Sequence, residues 1–366
     1  MRGTLIEIHT ADLHFGAMDP KTQYDILMSE MIERIKPIKF DIFYINGDIF
    51  HHKYMSNSDV IMYVSMFIDQ VVQLCRSKDA TLVILHGTAS HDANQLKLFY
   101  HYIGTVDIRI VERTGFEIIK GKKVLCIPEE YNMGEMYYNN FLFRNEYYDS
   151  VVMHGTIKNS IFGCNTVDLN NIKSPVFDLS CFGNCYGPII CGHVHVAKCY
   201  ENHIYYSGSP LRWQFGEEQT KGFLILLHNL DTQQYYVNLV EIESFRYDTI
   251  NLENMINCNP DQIIDYINNL RLNGINFIKI KFDSYNDNVA FVKKFYKNNY
   301  NVVIDATDIG FKETLKENQE TNDKLKQYDY IFDNNLSPYD IFTRYVNDNK
   351  GYEFITTEEL LKILSD

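Results

Sequence analysis

The stretch Gly187–His195, G-P-I-I-C-G-H-V-H, decides the fold class of this chain and points to its chemistry. An apolar run bounded by Gly-Pro on one side and Gly on the other is typical of a buried strand. His193 and His195 follow that run, and their spacing projects both imidazoles to one side of the chain. Alone, such a pair is more often structural than metal-binding, so other parts of the sequence are needed to distinguish the two roles.

Four other short apolar runs end in the same way. They are T-L-I-E-I-H-T (4–10) before Asp12 and His14, K-F-D-I-F-Y-I-N (39–46) before Asp48, A-T-L-V-I-L-H-G (80–87) before Ser90 and His91, and S-V-V-M-H-G (150–155) with His154. Helical patterns at 23–36 and 58–76 lie between several of the runs. This alternation predicts an α/β fold in which ligands gather at the carboxyl ends of the strands.

The chain has 366 residues and is 45% hydrophobic, which suits about two domains with sizeable cores. The α/β pattern covers 1–240. From 241 onward a capped helix, N-P-D-Q-I-I-D-Y-I-N-N-L, precedes the alternating strand F-I-K-I-K-F-D, which predicts a small α+β domain over 241–311. Residues 312–366 then read as a polar linker followed by two capped helices that start near Ser337 and Thr356.

The composition limits the possible binding partners and the cellular compartment of this protein. The chain carries 34 basic and 48 acidic residues, a net charge of −14, which argues against strong non-specific DNA binding by the chain alone. It does not exclude DNA, because bound cations or a basic partner could offset the charge. The sequence has no apolar run of the ~18 residues that a membrane span needs. Cysteines without a C-x-x-C pair favour reduced thiols and a cytoplasmic location, and the Asn-, Ile- and Tyr-rich composition suggests an AT-rich genome such as a phage's.

The Asp and His residues at these strand ends have the chemistry of a two-metal site. Such a site needs one carboxylate that bridges both ions, together with oxygen and imidazole ligands that complete each coordination shell. Each cluster alone has an ordinary structural explanation, but five clusters at five strand ends do not. Among the histidines outside these clusters, only His52 remains an open candidate.

The ordered set D-x-H, G-D-x-x-H, H-D, H-G and G-H-x-H resembles the calcineurin-like metallophosphoesterases. The stretch I-Y-Y-S-G-S-P-L-R-W-Q-F-G-E-E-Q-T-K-G-F (204–223) and the tail S-P-Y-D-I-F-T-R-Y-V (337–346) resemble the SbcD family more narrowly. SbcD is the nuclease subunit of the SbcC–SbcD repair and recombination complex. The resemblance implies a layered β-sandwich flanked by helices, with a small capping domain and C-terminal helices.

The resemblance also implies roles for the metal ligands. Asp12, His14 and His195 would hold the first metal, and Asp48 would bridge to the second. His154 and His193 would complete the second site.

Four further residues are candidates. The resemblance implies that His51 contacts the scissile phosphate and that His91 protonates the leaving oxygen. Ser90 stands where the family usually has an asparagine ligand of the second metal, so a looser second site is expected. Arg212, beside Trp213, is a candidate phosphate contact.

These expectations describe a DNA nuclease that uses two Mn²⁺ ions, with Mg²⁺ as a substitute. The family implies 3′-to-5′ exonuclease action on duplex DNA and endonuclease action on single strands. The expected partners are an SbcC-like coiled-coil ATPase, bound through the C-terminal helices, and a second copy of the chain, bound through helices at 58–76 and 93–103. Two alternatives stay open: a phosphatase or small-molecule phosphodiesterase on the same fold, and a catalytically weak assembly subunit, suggested by Ser90.

Overall fold

The structure, a computed structural model, describes residues 3–130, 133, 135–142, 146–158, 176–201, 203–217, 219–251, 258–282, 287–297 and 301–306. The linker and the C-terminal helices predicted within 312–366 lie outside the described residues.

Seventeen strands occur in the described part of the chain. In chain order they are β1 (Thr4–Thr10), β2 (Ile42–Asn46), β3 (Thr81–Leu85), β4 (Ile108–Val111), β5 (Gly115–Ile119), β6 (Lys122–Ile127), β7 (Ser150–His154), β8 (Thr156–Ile157), β9 (Val176–Phe177), β10 (Ile189–Gly192), β11 (Lys198–Tyr200), β12 (Ile204–Tyr206), β13 (Gly222–Asn229), β14 (Tyr235–Glu241), β15 (Tyr247–Asn251), β16 (Phe277–Phe282) and β17 (Val302–Ala306).

The described part of the chain has fewer helices than strands. They are α1 (Pro20–Ile26), α2 (Glu33–Ile35), α3 (Asp59–Ser77), α4 (Glu135–Leu142), α5 (Pro260–Leu272) and α6 (Asp287–Phe295). A π-helical turn over Leu27–Ile32 joins α1 to α2, and 3₁₀ helices span Gln95–Tyr102 and Leu179–Phe182. Within the described ranges, no helix has both the length and the apolar character that crossing a membrane requires.

Two six-stranded sheets carry the site. The first has the order β14-β13-β1-β2-β3-β4, and the second has the order β11-β12-β10-β7-β6-β5. Strands β1 to β4 run parallel to one another, and so do β12, β10, β7 and β6. Parallel neighbours end at the same edge of a sheet, so each sheet presents several strand ends together. This confirms the predicted α/β fold with helices flanking strands.

The inner faces of the two sheets form one apolar core. Ile42 and Val83 of the first sheet share a buried cluster with Val124, Cys126 and Val152 of the second. A larger cluster lies on the other face of the first sheet, where α3 packs. Strands that are apolar on both faces fit this arrangement, in which both faces of the first sheet are covered.

One part of the α3 prediction is wrong. The sequence pattern predicts that Ile61, Val64, Met66, Phe67 and Val71 exceed what one core-facing stripe needs, yet Ile61, Val64, Phe67 and Val71 are buried in the chain's own core. Met66 is 42% exposed, and Met62 one turn earlier is 47% exposed. The helix packs on a broad sheet, which covers a wider face than a single partner helix would.

A buried ion pair crosses between the sheets. Lys122 of β6 donates to both carboxylate oxygens of Glu7 on β1, at 2.6 and 2.8 Å, and both side chains are fully buried. His9 Nε2 lies 3.3 Å from the same carboxylate. Burial raises the pKa of Glu7, but Lys122 and His9 outweigh it and lower that pKa to about 2. A charged residue on each of two apolar strands was not predicted from the sequence.

The chain divides into two compact units. The first comprises Met1–Thr249 with Asn269–Ile278, and the second comprises Ile250–Asn268 with the chain from Lys279 onward. The predicted capping box of α5 is present, because Asn259 Oδ1 accepts from Gln262 N at 2.9 Å and Gln262 Oε1 accepts from Asn259 N at 3.0 Å. In β16, Ile278, Ile280 and Phe282 are buried and Lys281 is exposed, as the alternating pattern predicts, while Phe277 is half-buried.

Candidate metal centre

The predicted ligands converge on the carboxyl ends of the parallel strands. Asp12 and His14 follow β1, Asp48 follows β2, His154 ends β7, and His193 and His195 follow β10. The loops after β1 and β2 are held together by backbone hydrogen bonds from Asp12 N to Gly47 O and from His14 N to Asp48 O, both 3.0 Å. The two sheets therefore supply one shared cluster of ligand-type side chains.

The backbone at this cluster is unusual. Asp12, His14, Asp48 and His193 have φ values of +53°, +46°, +53° and +78°, in the left-handed region that side chains other than glycine seldom adopt. Such conformations cost free energy and collect at functional sites, where the surrounding structure holds them. The first position of the G-D motif requires glycine, because a Cβ at Gly47 would collide with the ring of His154.

The first group of ligands is Asp12, His14 and His195. His14 Nε2 lies 3.1 Å from His195 Nε2 and 3.7 Å from Asp48 Oδ2. His195 Nδ1 lies 3.5 Å from Glu217, whose carboxylate also pairs with Lys221 at 3.3 Å. A carboxylate on one ring nitrogen fixes the tautomer of a histidine and turns its other nitrogen toward a metal.

The second group is Glu129, His154 and His193, with Asp48 alongside. His154 Nε2 lies 3.4 Å from Asp48 Oδ2 and 3.6 Å from Glu129 Oε2, and His193 Nδ1 lies 3.4 Å from Glu129 Oε2. Glu129 was not predicted from the sequence. The signal was present, since it follows the apolar run K-V-L-C-I as the other ligands follow theirs.

The hydroxyl nearest this second group belongs to Thr88. Its Oγ1 lies 3.2 Å from Asp48 Oδ2 and 3.1 Å from Glu129 Oε2, while Ser90 is exposed. The family resemblance points to Ser90 as the oxygen ligand because Ser90 directly precedes His91. The loop instead places Thr88, directly after Gly87, against the site.

His51 and His91 lie beside His14, and the three rings form a further group. The His14 ring centroid is 4.7 Å from that of His91 and 5.5 Å from that of His51. His91 Nδ1 donates to the backbone oxygen of His51, which leaves Nε2 as the ring nitrogen not engaged in that hydrogen bond. Burial, followed by His52 and His91, lowers the pKa of His51 to about 4, so His51 is neutral near pH 7.

Asp92 supports the loop that carries Asp48. Its carboxylate accepts from the backbone N–H groups of Asp48, Ile49 and Phe50 at 3.1, 2.9 and 3.2 Å, and from Gly87 at 2.8 Å. Burial and the Asp48 charge raise the pKa of Asp92 to about 6 despite these donors. The side chain holds the loop and does not face the ligand cluster.

Trp213 and Arg212 lie at the rim. The Trp213 ring centroid is 5.0 Å from that of His14, 5.2 Å from His51 and 4.9 Å from His195. The guanidinium of Arg212 donates to the backbone oxygens of Glu217, at 2.7 Å, and Gln219, at 2.9 Å. The structure therefore shows Arg212 engaged in holding its own loop, and the predicted phosphate contact of Arg212 stays a prediction.

The charges of this cluster fit cations. Burial raises the pKa of Asp48, but His154 and His14 outweigh it and hold that pKa well below its usual range. At Asp12, burial outweighs the neighbouring histidines and raises the pKa. Burial lowers the pKa of His14, so its ring stays neutral. Burial lowers the pKa of His154, but Asp48, Asp12 and Glu129 outweigh it and raise that pKa well above its usual value. Buried carboxylates mixed with imidazoles form a donor set suited to divalent ions such as Mn²⁺ or Zn²⁺.

The comparisons with known proteins agree with this chemistry at a coarse level. No family model matches the chain. Over 200 residues, 52% of this chain and 64% of the relative, it is 26% identical to the Invertebrate iridescent virus 6 protein described as "Putative phosphoesterase 244L". The chain thus spans less than two thirds of the length of this relative. The similarity and the ligand clusters together fit a metal-dependent phosphoesterase.

Proposed function

We propose that this protein is a Mn²⁺-dependent DNA nuclease of the SbcD type. One observation carries the two-metal part of this proposal: Asp48 Oδ2 faces His14 Nε2 at 3.7 Å and His154 Nε2 at 3.4 Å. A single carboxylate oxygen is thereby shared by both ligand groups, which is the arrangement that a bridging ligand needs.

The roles of the side chains follow from their places. Two bound ions would polarise the phosphodiester and activate the attacking water. In the proposed reaction His91, whose Nδ1 donates to the His51 carbonyl, gives a proton to the leaving oxygen. His51, beside His14, donates a hydrogen bond to the phosphate in the same proposal.

DNA as the substrate rests on the resemblance of the 204–223 stretch to SbcD. In this chain that stretch contributes Trp213, Glu217 and Lys221, which surround His195. The motif that distinguishes the nuclease family thus lies at the ligand cluster. A phosphatase or small-molecule phosphodiesterase remains the alternative, because the same ligands can serve either substrate.

Two partners belong to the proposal. The first is an SbcC-like coiled-coil ATPase, bound through the tail 312–366. The second is another copy of the chain, bound through α3 and the 3₁₀ helix Gln95–Tyr102, which correspond to the helices predicted at 58–76 and 93–103. On α3, Met62 and Met66 are exposed one turn apart. Sedimentation of wild type and of the double variant Met62→Glu/Met66→Glu tests the homodimer, and an unchanged sedimentation coefficient would remove it. The composition and the viral relative support a viral or phage source.

The test of function uses the purified full chain. It is assayed on blunt duplex DNA, single-stranded DNA, a chromogenic phosphodiester and a chromogenic phosphomonoester, each with Mn²⁺, with Mg²⁺ and with chelator. We expect chelator-sensitive cleavage of both DNA forms, fastest with Mn²⁺. Hydrolysis of the monoester without cleavage of DNA would favour the phosphatase, and no hydrolysis of any substrate would favour the weak assembly subunit.

A further inference from the structure

We infer that Glu129 is a direct ligand of the second metal ion, so that two carboxylates, Asp48 and Glu129, hold that ion. This inference rests on the proposed two-metal function. It concerns a residue that neither the strand-end motifs nor the family resemblance identified.

The fold delivers Glu129 to the site. It lies two residues beyond β6, which runs parallel to β7 with Ile127 opposite Met153. The next residue of β7 is His154, and the backbone N–H of Glu129 donates to His86 O at 3.1 Å, which anchors the chain on the loop before Thr88. Glu129 is 3% exposed, so its carboxylate is directed inward.

The distances around Glu129 match those between ligands of one ion. Ligands at ~2.1 Å from an octahedral ion lie ~3 Å from their neighbours. Glu129 Oε2 lies 3.1 Å from Thr88 Oγ1, 3.4 Å from His193 Nδ1 and 3.6 Å from His154 Nε2. Four donor atoms from three strands of the second sheet and one loop of the first therefore surround one point.

The orientation of the His154 ring supports this inference. Its Nδ1 lies 2.7 Å from Asn46 O, and a carbonyl oxygen can only accept, so Nδ1 carries a proton and donates to that oxygen. Nε2 is therefore the ring nitrogen that faces Asp48 Oδ2 at 3.4 Å and Glu129 Oε2 at 3.6 Å. Two buried carboxylate oxygens around one nitrogen require positive charge among them, and a bound cation would supply it in place of a proton on Nε2.

Glu129 changes what the second site is expected to do. The exposed Ser90 supplies no oxygen to the cluster described above, and a carboxylate binds a hard cation more strongly than a neutral amide oxygen does. The second ion should therefore not be the more weakly held one that Ser90 alone would imply. The third carboxylate beside Asp12 and Asp48 also lowers the net positive charge of a two-ion centre by one.

Metal binding by itself tests the inference. Mn²⁺ alone is titrated calorimetrically into the full chain, into Glu129→Gln and into Glu130→Gln. The control removes the same charge one residue away, where Glu130 accepts from Thr114 N at 2.8 Å and an amide oxygen can still accept. We expect wild type and control to bind two Mn²⁺ ions. In Glu129→Gln we expect the second ion to bind ~10–100-fold more weakly or to be lost, because even substitution of a residue that only supports a ligand lowers metal affinity by that factor.

A thiolate substitution tests direct ligation rather than positioning. Glu129→Cys, compared with Glu130→Cys, is titrated with Cd²⁺, a soft ion that thiolates prefer. We expect a thiolate-to-Cd²⁺ charge-transfer absorption in the near ultraviolet for Glu129→Cys beyond that of the control. This experiment also covers the case in which Glu129→Gln does not fold.

The outcomes separate the two levels of the proposal. Wild type that binds no Mn²⁺ would overturn the two-metal function itself. Wild type with two ions and Glu129→Gln with two equally tight ions would overturn the role of Glu129 alone. Equal Cd²⁺ spectra for the two cysteine variants would do the same.

Discussion

At Asp48, one carboxylate faces both ligand groups, and its substitution is the sharpest single-residue test of the proposed chemistry. Asp48→Asn keeps the size of the side chain and tolerates the φ of +53°, since asparagine is one of the few residues that accept this region. We predict loss of Mn²⁺-dependent hydrolysis and weaker binding of both ions, measured by cleavage assay and calorimetry.

Asp79→Asn provides the control for Asp48→Asn. Asp79 also has a positive φ, +54°, but its side chain is exposed and lies outside the ligand groups. Near-normal cleavage by Asp48→Asn, with Asp79→Asn unchanged as expected, would rule out the shared-carboxylate centre.

His91 separates binding from chemistry. We predict that His91→Ala keeps two Mn²⁺ ions and loses ~10²–10⁴-fold in hydrolysis rate, the usual contribution of a general acid. The matched control is His101→Ala, which removes an exposed histidine from the 3₁₀ helix Gln95–Tyr102 and should leave the rate unchanged. Loss of an ion from His91→Ala would instead assign His91 to a metal.

Individual residues also show how much of the candidate site could be predicted from the sequence. Asp12, His14, Asp48, His154, His193 and His195 could be selected because each follows an apolar run, and parallel strands bring such ends together. Glu129 follows the same rule, yet only its neighbours across the sheet distinguish it from other acidic residues that follow a strand. Thr88 could not be separated from Ser90, because spacing along the sequence does not give the conformation of the loop after β3.

At the scale of the elements, the Glu7–Lys122 pair links β1 to β6 across the inner core. Removing one partner of a buried pair leaves an uncompensated charge, so we predict that Glu7→Gln destabilises the fold by about 3–5 kcal/mol near pH 7, measured by denaturant unfolding. Glu33→Gln is the control, because its pair with Lys36 is exposed and should contribute less than ~1 kcal/mol.

The Glu7–Lys122 pair also predicts that the free energy of unfolding falls at acidic pH. Folding lowers the pKa of Glu7 from 4.5 to about 2, so its contribution is present above pH 4.5 and is lost as the pH falls toward 2. Unfolding free energies measured across this window should fall more steeply for wild type than for Glu7→Gln. Parallel slopes for the two proteins would show that Glu7 does not carry this dependence.

Element type was more predictable than element arrangement. The strands and α3 follow from short apolar runs and helical periodicity, and Asn259 and Gln262 predict the start of α5. The sheet order could not be predicted, because β13 pairs with β1 across more than two hundred residues and no local signal specifies that partner. The burial of Val64, Phe67 and Val71 was likewise misjudged, since it depends on how broad a sheet α3 covers.

At the scale of the whole molecule, the tail can be separated from the chemistry. The helix predicted from Ser337 carries Ile341, Phe342, Tyr345 and Val346 on one face, which suits docking onto a partner helix. We predict that truncation after Asn334 leaves Mn²⁺-dependent hydrolysis intact and abolishes co-purification with an SbcC-like partner. Unfolding of the truncated chain, seen by circular dichroism, would instead mean that the tail packs on its own chain.

Trp213 gives the molecule a built-in optical reporter. It is the sole tryptophan of the chain, and its ring lies within about 5 Å of the rings of His14 and His195. Its emission should therefore respond to paramagnetic Mn²⁺ at the first ligand group, while the 27 tyrosines absorb at shorter wavelength and can be left unexcited. Filling of that group could then be followed in real time without any attached label.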